Sequence, residues 1–353
     1  MLKFLLVFLL AFSFLTARGE SLYGLVKKLD TLTPEEISKE IRNLSPEERF
    51  KLQLLLFSYA GESKEVRKLI KKAYPKRLIS NVLILPPSIN AIIVDKTREI
   101  LYVIKMDKSI PHVIKKFPCI TGKKLGDKLE EGDLRTPEGI YFPLYWRTNL
   151  PKLYGIGAFP LNYPNLIDKK VLKRNGHGIW IHGTNDPNRP PHSTNGCIVL
   201  KNEYLKELKK LIDPKLTPVI VVTTVNYVER KKYINEKKSI LSFILRWKKA
   251  WENTPKNLKS YFSFYSKHFV WKKGNYKDWI RYKKRITKQK KWIKIKIFNL
   301  SLSKDGRVLQ FGNLYVANID FEYKSNNFHS KGKKLLYIVR EGKQWKILGE
   351  ENL

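Results

Sequence analysis

From about residue 82 the apolar residues of this chain change their spacing from a helical period of 3.6 to a strand period of 2, and no other feature bounds the fold as tightly. Apolar side chains recurring at three and four share a helix face, whereas strict alternation puts them on one side of a strand. Ahead of the change, Thr33-Pro34-Glu35-Glu36 and Ser45-Pro46-Glu47-Glu48 each combine an N-cap, a proline at the first helical position and acidic residues in the first turn. Leu52, Leu55, Leu56 and Tyr59 follow at helical spacing, Gly61 ends that helix, and residues 63–74 predict another that stops at Pro75. Residues 20–81 therefore read as a helical arm, with the whole of 22–80 expected to be helical, suited to a small bundle or to dimerisation.

Behind the change, Ala91 to Asp95 and Glu99 to Ile104 flank Lys96-Thr97-Arg98 as a hairpin, and the β pattern continues through 117–122, 139–142 and 178–181. A helix over 202–212 and a strand over 218–225 close a mostly β domain at residues 82–228. Glu229 to Tyr233 then reads as a charged linker. Helical spacing covers 239–251, 258–268 and 276–285, after which strands alternate, with turns expected at Asp305-Gly306 and Glu341-Gly342. A chain of 353 residues accommodates three such domains, so residues 229–353 form a third, of helices followed by a curved antiparallel sheet.

Charge narrows the partner. The net formal charge is +37, and residues 229–353 hold 32 Lys and Arg against 10 Asp and Glu, an excess of 22. Such an excess suits nucleic acid, an anionic envelope surface, or simply a lysine-rich solvated face. The first residues choose among them. Met1-Leu2-Lys3 is a short basic segment, residues 4–15 are apolar, and Thr16-Ala17-Arg18-Gly19 supplies small residues for cleavage, so 1–19 read as a signal peptide. The apolar run is shorter than the roughly 20 residues that span a bilayer, although an uncleaved anchor stays open. Export to the periplasm or cell envelope removes nucleic acid as a partner and leaves an anionic envelope surface for residues 229–353.

Two cysteines, Cys119 and Cys197, are too few for a disulfide framework. Cys119 lies in a strand and reads as core; pairing with Cys197 would block the thiol of the more informative site. That site is Gly178-Ile179-Trp180-Ile181-His182-Gly183, followed by Ser193-Thr194-Asn195-Gly196-Cys197-Ile198. An apolar strand delivers a histidine, and a Gly-Cys pair opens the next apolar run. A thiol becomes nucleophilic when an imidazole within reach takes its proton, and backbone N–H groups at Gly196 and Cys197 could face an oxygen that turns negative during acyl transfer.

The stretch resembles the YkuD-type L,D-transpeptidase family, whose signature joins a His-Gly to a Ser/Thr-x-Gly-Cys. Here these are His182-Gly183 and Thr194-Asn195-Gly196-Cys197, preceded by Thr121-Gly122-Lys123, Gly126-Asp127-Lys128 and Arg135-Thr136-Pro137-Glu138-Gly139. The resemblance covers about residues 90–225. It implies a mostly β catalytic sandwich, Cys197 as acylated nucleophile, His182 as its base and the Gly183 carbonyl as the group that orients the ring. It also implies peptidoglycan stem peptides as substrate, cut after the L-centre of the third residue, with the acyl group passed to an amine or to water. The order of arm, catalytic domain and α+β cone resembles the cell-shape L,D-carboxypeptidases with a C-terminal nuclear-transport-factor-like domain, whose arm dimerises, so a homodimer through residues 20–81 is implied too.

Two positions depart from the pattern: Val199 stands where many cross-linking members carry Arg, and Asn195 where a His is usual. Arg135 and Lys123 are candidates to hold a substrate carboxylate, and Trp180 and His177 to wall the groove; solvated loop charge and core packing are the bland readings of the same residues. His177, His182 and His192 match no zinc spacing, so no metal and no cofactor are expected. Trp247, Trp251, Trp271 and Trp279 suit a core inside the third domain. A different class, a wall-binding scaffold that keeps the fold without catalysis, stays open on sequence alone.

Overall fold

The computed structural model describes residues 77–352 and a few positions between 24 and 36. The signal segment and the helices expected over 45–75 lie outside the described residues. In the amino-terminal unit, which ends at Lys76, the cap read at Thr33 is present: the Glu36 N–H donates to Thr33 Oγ1 at 3.4 Å, and the Thr33 N–H and Oγ1 donate back to Glu36 Oε2 at 2.8 and 2.9 Å.

In the second unit, β1 (Arg77–Ile79), β2 (Val82–Ile84), β3 (Ala91–Asp95), β4 (Ile100–Asp107), β5 (Ile110–Pro118), β6 (Gly139–Tyr141) and β7 (Ala158–Pro160) precede the short helix α1 (Leu166–Lys170). Then come β8 (Trp180–His182), β9 (Ile198–Val199), α2 (Asn202–Lys209), β10 (Val219–Val222) and β11 (Tyr227–Glu229). Five strands form a sheet in the order β5-β4-β3-β10-β6, and β7-β8-β9 form a smaller one. The hairpin expected at Lys96-Thr97-Arg98 is present, with Asp95 opposite Ile100. The strand at Arg77–Ile79 shortens the expected helical span at its end, because this segment pairs with β11 instead of continuing an arm.

Strands β3, β10 and β6 of the five-stranded sheet are buried on both faces, and β3 and β10 read as nearly continuous apolar runs. Ile92, Val94, Val219 and Val221 face β8, β9 and α2, together with Ile181, Ile198, Leu205 and Leu208. Ala91, Ile93, Ile220 and Val222 face the other way, against Leu166, Ile167 and a second set of strands. Each such fully buried aliphatic side chain contributes about 1.5–3 kcal/mol.

Those strands belong to the carboxy-terminal region. It consists of α3 (Arg230–Glu252), α4 (Leu258–Phe262), β12 (Tyr265–Trp271), β13 (Gly274–Asn275), α5 (Tyr276–Thr287), β14 (Ile293–Leu309), β15 (Gly312–Ser325), β16 (Phe328–Glu341) and β17 (Gln344–Asn352). The sheet runs β13-β12-β17-β16-β15-β14-β2, so a strand that precedes the catalytic region closes its edge, with Leu302 opposite Ile84. The α3 face carrying Tyr233, Ile240, Phe243, Ile244, Trp247 and Trp251 fills the cone at helical spacing. Trp279 is buried with them.

Three local expectations are corrected. Residues 229–233 are no linker: α3 starts at Arg230, and Tyr233 is buried with its hydroxyl donating to Val82 O at 2.8 Å. The helix expected over 258–268 stops at Phe262, and Tyr265 begins β12, since parallel pairing with β17 outweighs the local period. Asp305-Gly306 makes no turn. β14 runs through it with a register shift, and the hairpin falls after Leu309. Gly306 serves close approach, because a Cβ there would lie 2.6 Å from Val222 Cγ1. The turn at Glu341-Gly342 is where it was expected.

Candidate active site

Parallel pairing of β8 and β9 sets Ile181 opposite Ile198 and His182 opposite Val199, which brings the residue before β9, Cys197, beside the end of β8. The loop entering β9 is fixed by Thr194. Its Oγ1 donates to Cys197 O at 2.7 Å and accepts the Gly196 N–H at 3.0 Å. The same residue is stitched to the Thr-Gly-Lys loop, with Thr194 N–H donating to Thr121 O at 3.1 Å and Lys123 N–H to Thr194 O at 2.9 Å. Gly196 has φ +129°, and a Cβ there would sit 2.9 Å from Arg135 O, so a side chain is excluded twice.

His182 is 3 % exposed. Its Nδ1 lies 2.7 Å from Gly183 O. A carbonyl only accepts, so Nδ1 carries the proton and Nε2 keeps a lone pair. Burial pushes the imidazole down to about 4, opposed by the Gly183 carbonyl and helped by Arg189. Burial raises the Cys197 thiol, while the Trp180 backbone, Arg189 and Lys128 pull it down. The resting pair is therefore a neutral thiol and a neutral imidazole unprotonated at Nε2. The Cys197 Sγ lies 3.4 Å from Gly178 O. The Gly196 N–H is occupied by Thr194 and cannot face an oxyanion; the Cys197 N–H has no hydrogen-bonding partner among the described residues.

The remaining sequence candidates fall in different places. Trp180 stacks on Tyr154 at 4.9 Å between centroids and lies under Arg147 at 5.4 Å, and Tyr154 meets the His182 ring edge-on at 4.9 Å. Arg135 donates from Nε to Leu125 O at 3.1 Å, with its backbone against Gly196. Lys123 and Asn195 have exposed side chains. His177 points outward, 2.9 Å from Glu131 Oε1. Val199 is fully buried, and Cys119 is core, with both cysteines free. The described residues contain no group of three or more His, Cys, Asp or Glu that could hold a metal.

Several residues at the site carry no sequence signal. The Glu99 carboxylate accepts from Thr121 N at 2.7 Å and His192 N at 3.1 Å, tying the two loops beside Cys197. Asn202 Oδ1 accepts the Ile156 N–H at 3.1 Å and leaves no room at Gly183, where a Cβ would lie 2.2 Å from it. Arg189, close enough to act on both His182 and Cys197, makes one hydrogen bond among the described residues, to Ser193 Oγ at 3.3 Å. No motif marks these positions, because tertiary contacts bring them together.

Comparison with known proteins agrees with this geometry. Residues 89–221 match the L,D-transpeptidase catalytic domain YkuD, and residues 239–351 match the Cds6 C-terminal NTF2-like domain. The solved structure of Bd1075 from Bdellovibrio bacteriovorus is 30% identical, covering 78% of this chain and 98% of that one, with a TM-score of 0.65. The helical cell shape determining protein Pgp2 from Campylobacter jejuni is likewise 30% identical over 78% of this chain and 95% of its own, with a TM-score of 0.63. No curated protein matches. The fold is thus a YkuD catalytic domain joined to an NTF2-like domain. The chain belongs to the YkuD L,D-transpeptidase family, in the branch that carries this accessory domain.

Proposed function

We propose that the chain is an exported cysteine acyltransferase acting on peptidoglycan stem peptides, with Cys197 as nucleophile and His182 as base. The observation that carries this reading is the 2.7 Å contact from His182 Nδ1 to Gly183 O, which leaves Nε2 unprotonated on a strand paired beside Cys197. As Sγ attacks the carbonyl carbon of the third, diamino-acid residue, its proton passes to Nε2. The oxygen that becomes negative is met by the Cys197 N–H. Collapse breaks the peptide bond; the departing D-alanine amine takes the proton from Nε2, and a thioester remains. An incoming amine or water then gives its proton to Nε2 and attacks the thioester, which frees the thiol.

An amine acceptor yields a cross-link, and water yields a trimmed tripeptide. Similarity to a helical cell shape determining protein supports a part in cell shape. The carboxy-terminal charge supports docking to an anionic envelope surface, and the helical arm is read as a dimerisation element.

Incubation with purified disaccharide tetrapeptide, followed by mass analysis, tests the reaction. Tripeptide indicates trimming and a cross-linked dimer indicates transfer; products equal to those of Cys197→Ala overturn both. Iodoacetamide tests the pair separately: Cys197 is alkylated selectively near neutral pH, and the selectivity is lost in His182→Ala. An inert thiol indicates a scaffold.

A further inference from the structure

We propose that Arg307, supplied by the accessory sheet, is a positioning residue for the nucleophile loop of the catalytic domain, acting through the Asp127 loop. The inference rests on the acyltransferase reading above. Arg307 lies on β14 with its side chain 6 % exposed, and its Nη1 donates across the domain boundary to Asp168 Oδ1 at 2.9 Å. Asp305 holds Nε and Nη2 at 3.0 and 2.8 Å, which aims the guanidinium, and Asp127 Oδ2 lies 3.9 Å from Nη1. Asp127 Oδ2 also takes Arg174 Nη2 at 2.6 Å, so three carboxylates and two guanidiniums share one largely buried site. Gly139 makes room for it: a Cβ there would come within 2.5 Å of Arg307 Nη2.

From this cluster a short path of hydrogen bonds reaches Cys197. The other oxygen of Asp127 accepts the Glu138 N–H at 2.8 Å. Glu138 pairs at 2.9 Å with Lys96, whose Nζ also donates to Thr136 O at 3.0 Å and to Gly126 O. Thr136 Oγ1 accepts the Gly122 N–H at 2.9 Å, and Gly122 pairs with Thr194, the residue that shapes the loop of Gly196 and Cys197. Arg135, between these positions, presents its carbonyl to Gly196. Neighbours that are all packed or ion-paired transmit a shift of the Asp127 loop to the nucleophile.

Contiguity alone does not establish coupling, so the test compares a break at this cluster with one that loosens the accessory fold elsewhere. Arg307→Met removes the guanidinium that donates to Asp168 across the domain boundary and lies 3.9 Å from Asp127 of this loop. Tyr233→Phe removes a bond inside the accessory fold, from the Tyr233 hydroxyl to Val82 O on the edge strand β2, which plays no part in the path to Cys197. In the full chain, Arg307→Met is expected to lower kcat at least tenfold with KM changed less than about threefold, as misplacement of a reacting group does. Tyr233→Phe is expected to lower Tm and leave kcat intact. The rate of Cys197 alkylation by iodoacetamide supplies a readout that needs no substrate, and it should change about fivefold or more in Arg307→Met alone. If wild type turns over no stem peptide, the acyltransferase reading fails while alkylation still decides the coupling. Should Arg307→Met not fold, Asp127→Asn, cut at the loop end of the same cluster, must reproduce the loss. Unchanged kcat and alkylation in the folded variant overturn the proposal.

Discussion

The Nδ1 of His182 and the carbonyl oxygen of the next residue, Gly183, are 2.7 Å apart, and Asn202 packs against the side of Gly183 where a side chain would stand. A Cβ at Gly183 would lie 2.2 Å from Asn202 Oδ1 and 3.3 Å from Ile156 N. Gly183→Ala is therefore expected to displace the carbonyl and lower kcat by about a hundredfold, with about 1–3 kcal/mol lost from stability by overpacking. Asn202→Ala in the same chain removes the clashing oxygen and should restore part of both. Steady-state rates and denaturant midpoints of the single and double variants check this; no rescue would place the fault elsewhere.

The imidazole held near 4 sets a pH window. The acid limb of kcat/KM is expected near pH 4, not near 6.5, and the alkaline limb above the ordinary thiol value, because burial raises Cys197. The same shift bears on stability. Between pH 6.5 and 4 the unfolded chain binds a proton that the folded His182 refuses, so stability falls as pH drops through this window. Tm measured against pH should show that fall in wild type and a shallower one in His182→Gln.

Arg189 is expected to meet the terminal carboxylate of the substrate, since its charge acts on both members of the pair and it uses one donor on Ser193. A charge-assisted hydrogen bond is worth about 1.5–3 kcal/mol. Arg189→Ala should thus raise KM about tenfold or more, with Arg189→Lys intermediate. The difference should vanish when the substrate carries a C-terminal amide.

Lys283 sits inside the cone, with Nζ 4.6 Å from the Trp279 ring centroid and 5.2 Å from that of Trp251, and burial lowers it to about 7. Glu350 pulls it up and Lys334 pushes it down. Between pH 7 and 10.5 the unfolded chain holds more protons, so this lysine costs stability that is regained as pH rises. Lys283→Met should leave Tm at pH 7 equal or higher and flatten its rise toward pH 10. A large loss of Tm would show that the ammonium stabilises the cone.

Local chemistry was legible where the chain itself supplies it. The Lys96-Thr97-Arg98 hairpin and the Thr33 cap need few residues beyond the motif. What failed was set by distant partners. Tyr265 leaves its helix to pair with Ile347, Asp305-Gly306 stays extended against Val222, and Arg307 meets a carboxylate 139 positions away. Periodicity describes one element against solvent. It does not say that the catalytic sheet has protein on both sides.

The edge pairing of β2 with β14 has a consequence for modularity. A cut before residue 229 would liberate the carboxy-terminal region without the strand that caps it, leaving unmet the backbone groups of β14 that face that strand, the Lys304 N–H on Asn81 O among them. Such bare edges recruit other chains. The accessory region is therefore not a detachable cassette: it was built around a ribbon that lies upstream of the enzyme it serves, and shuffling it onto another protein would require carrying that ribbon along.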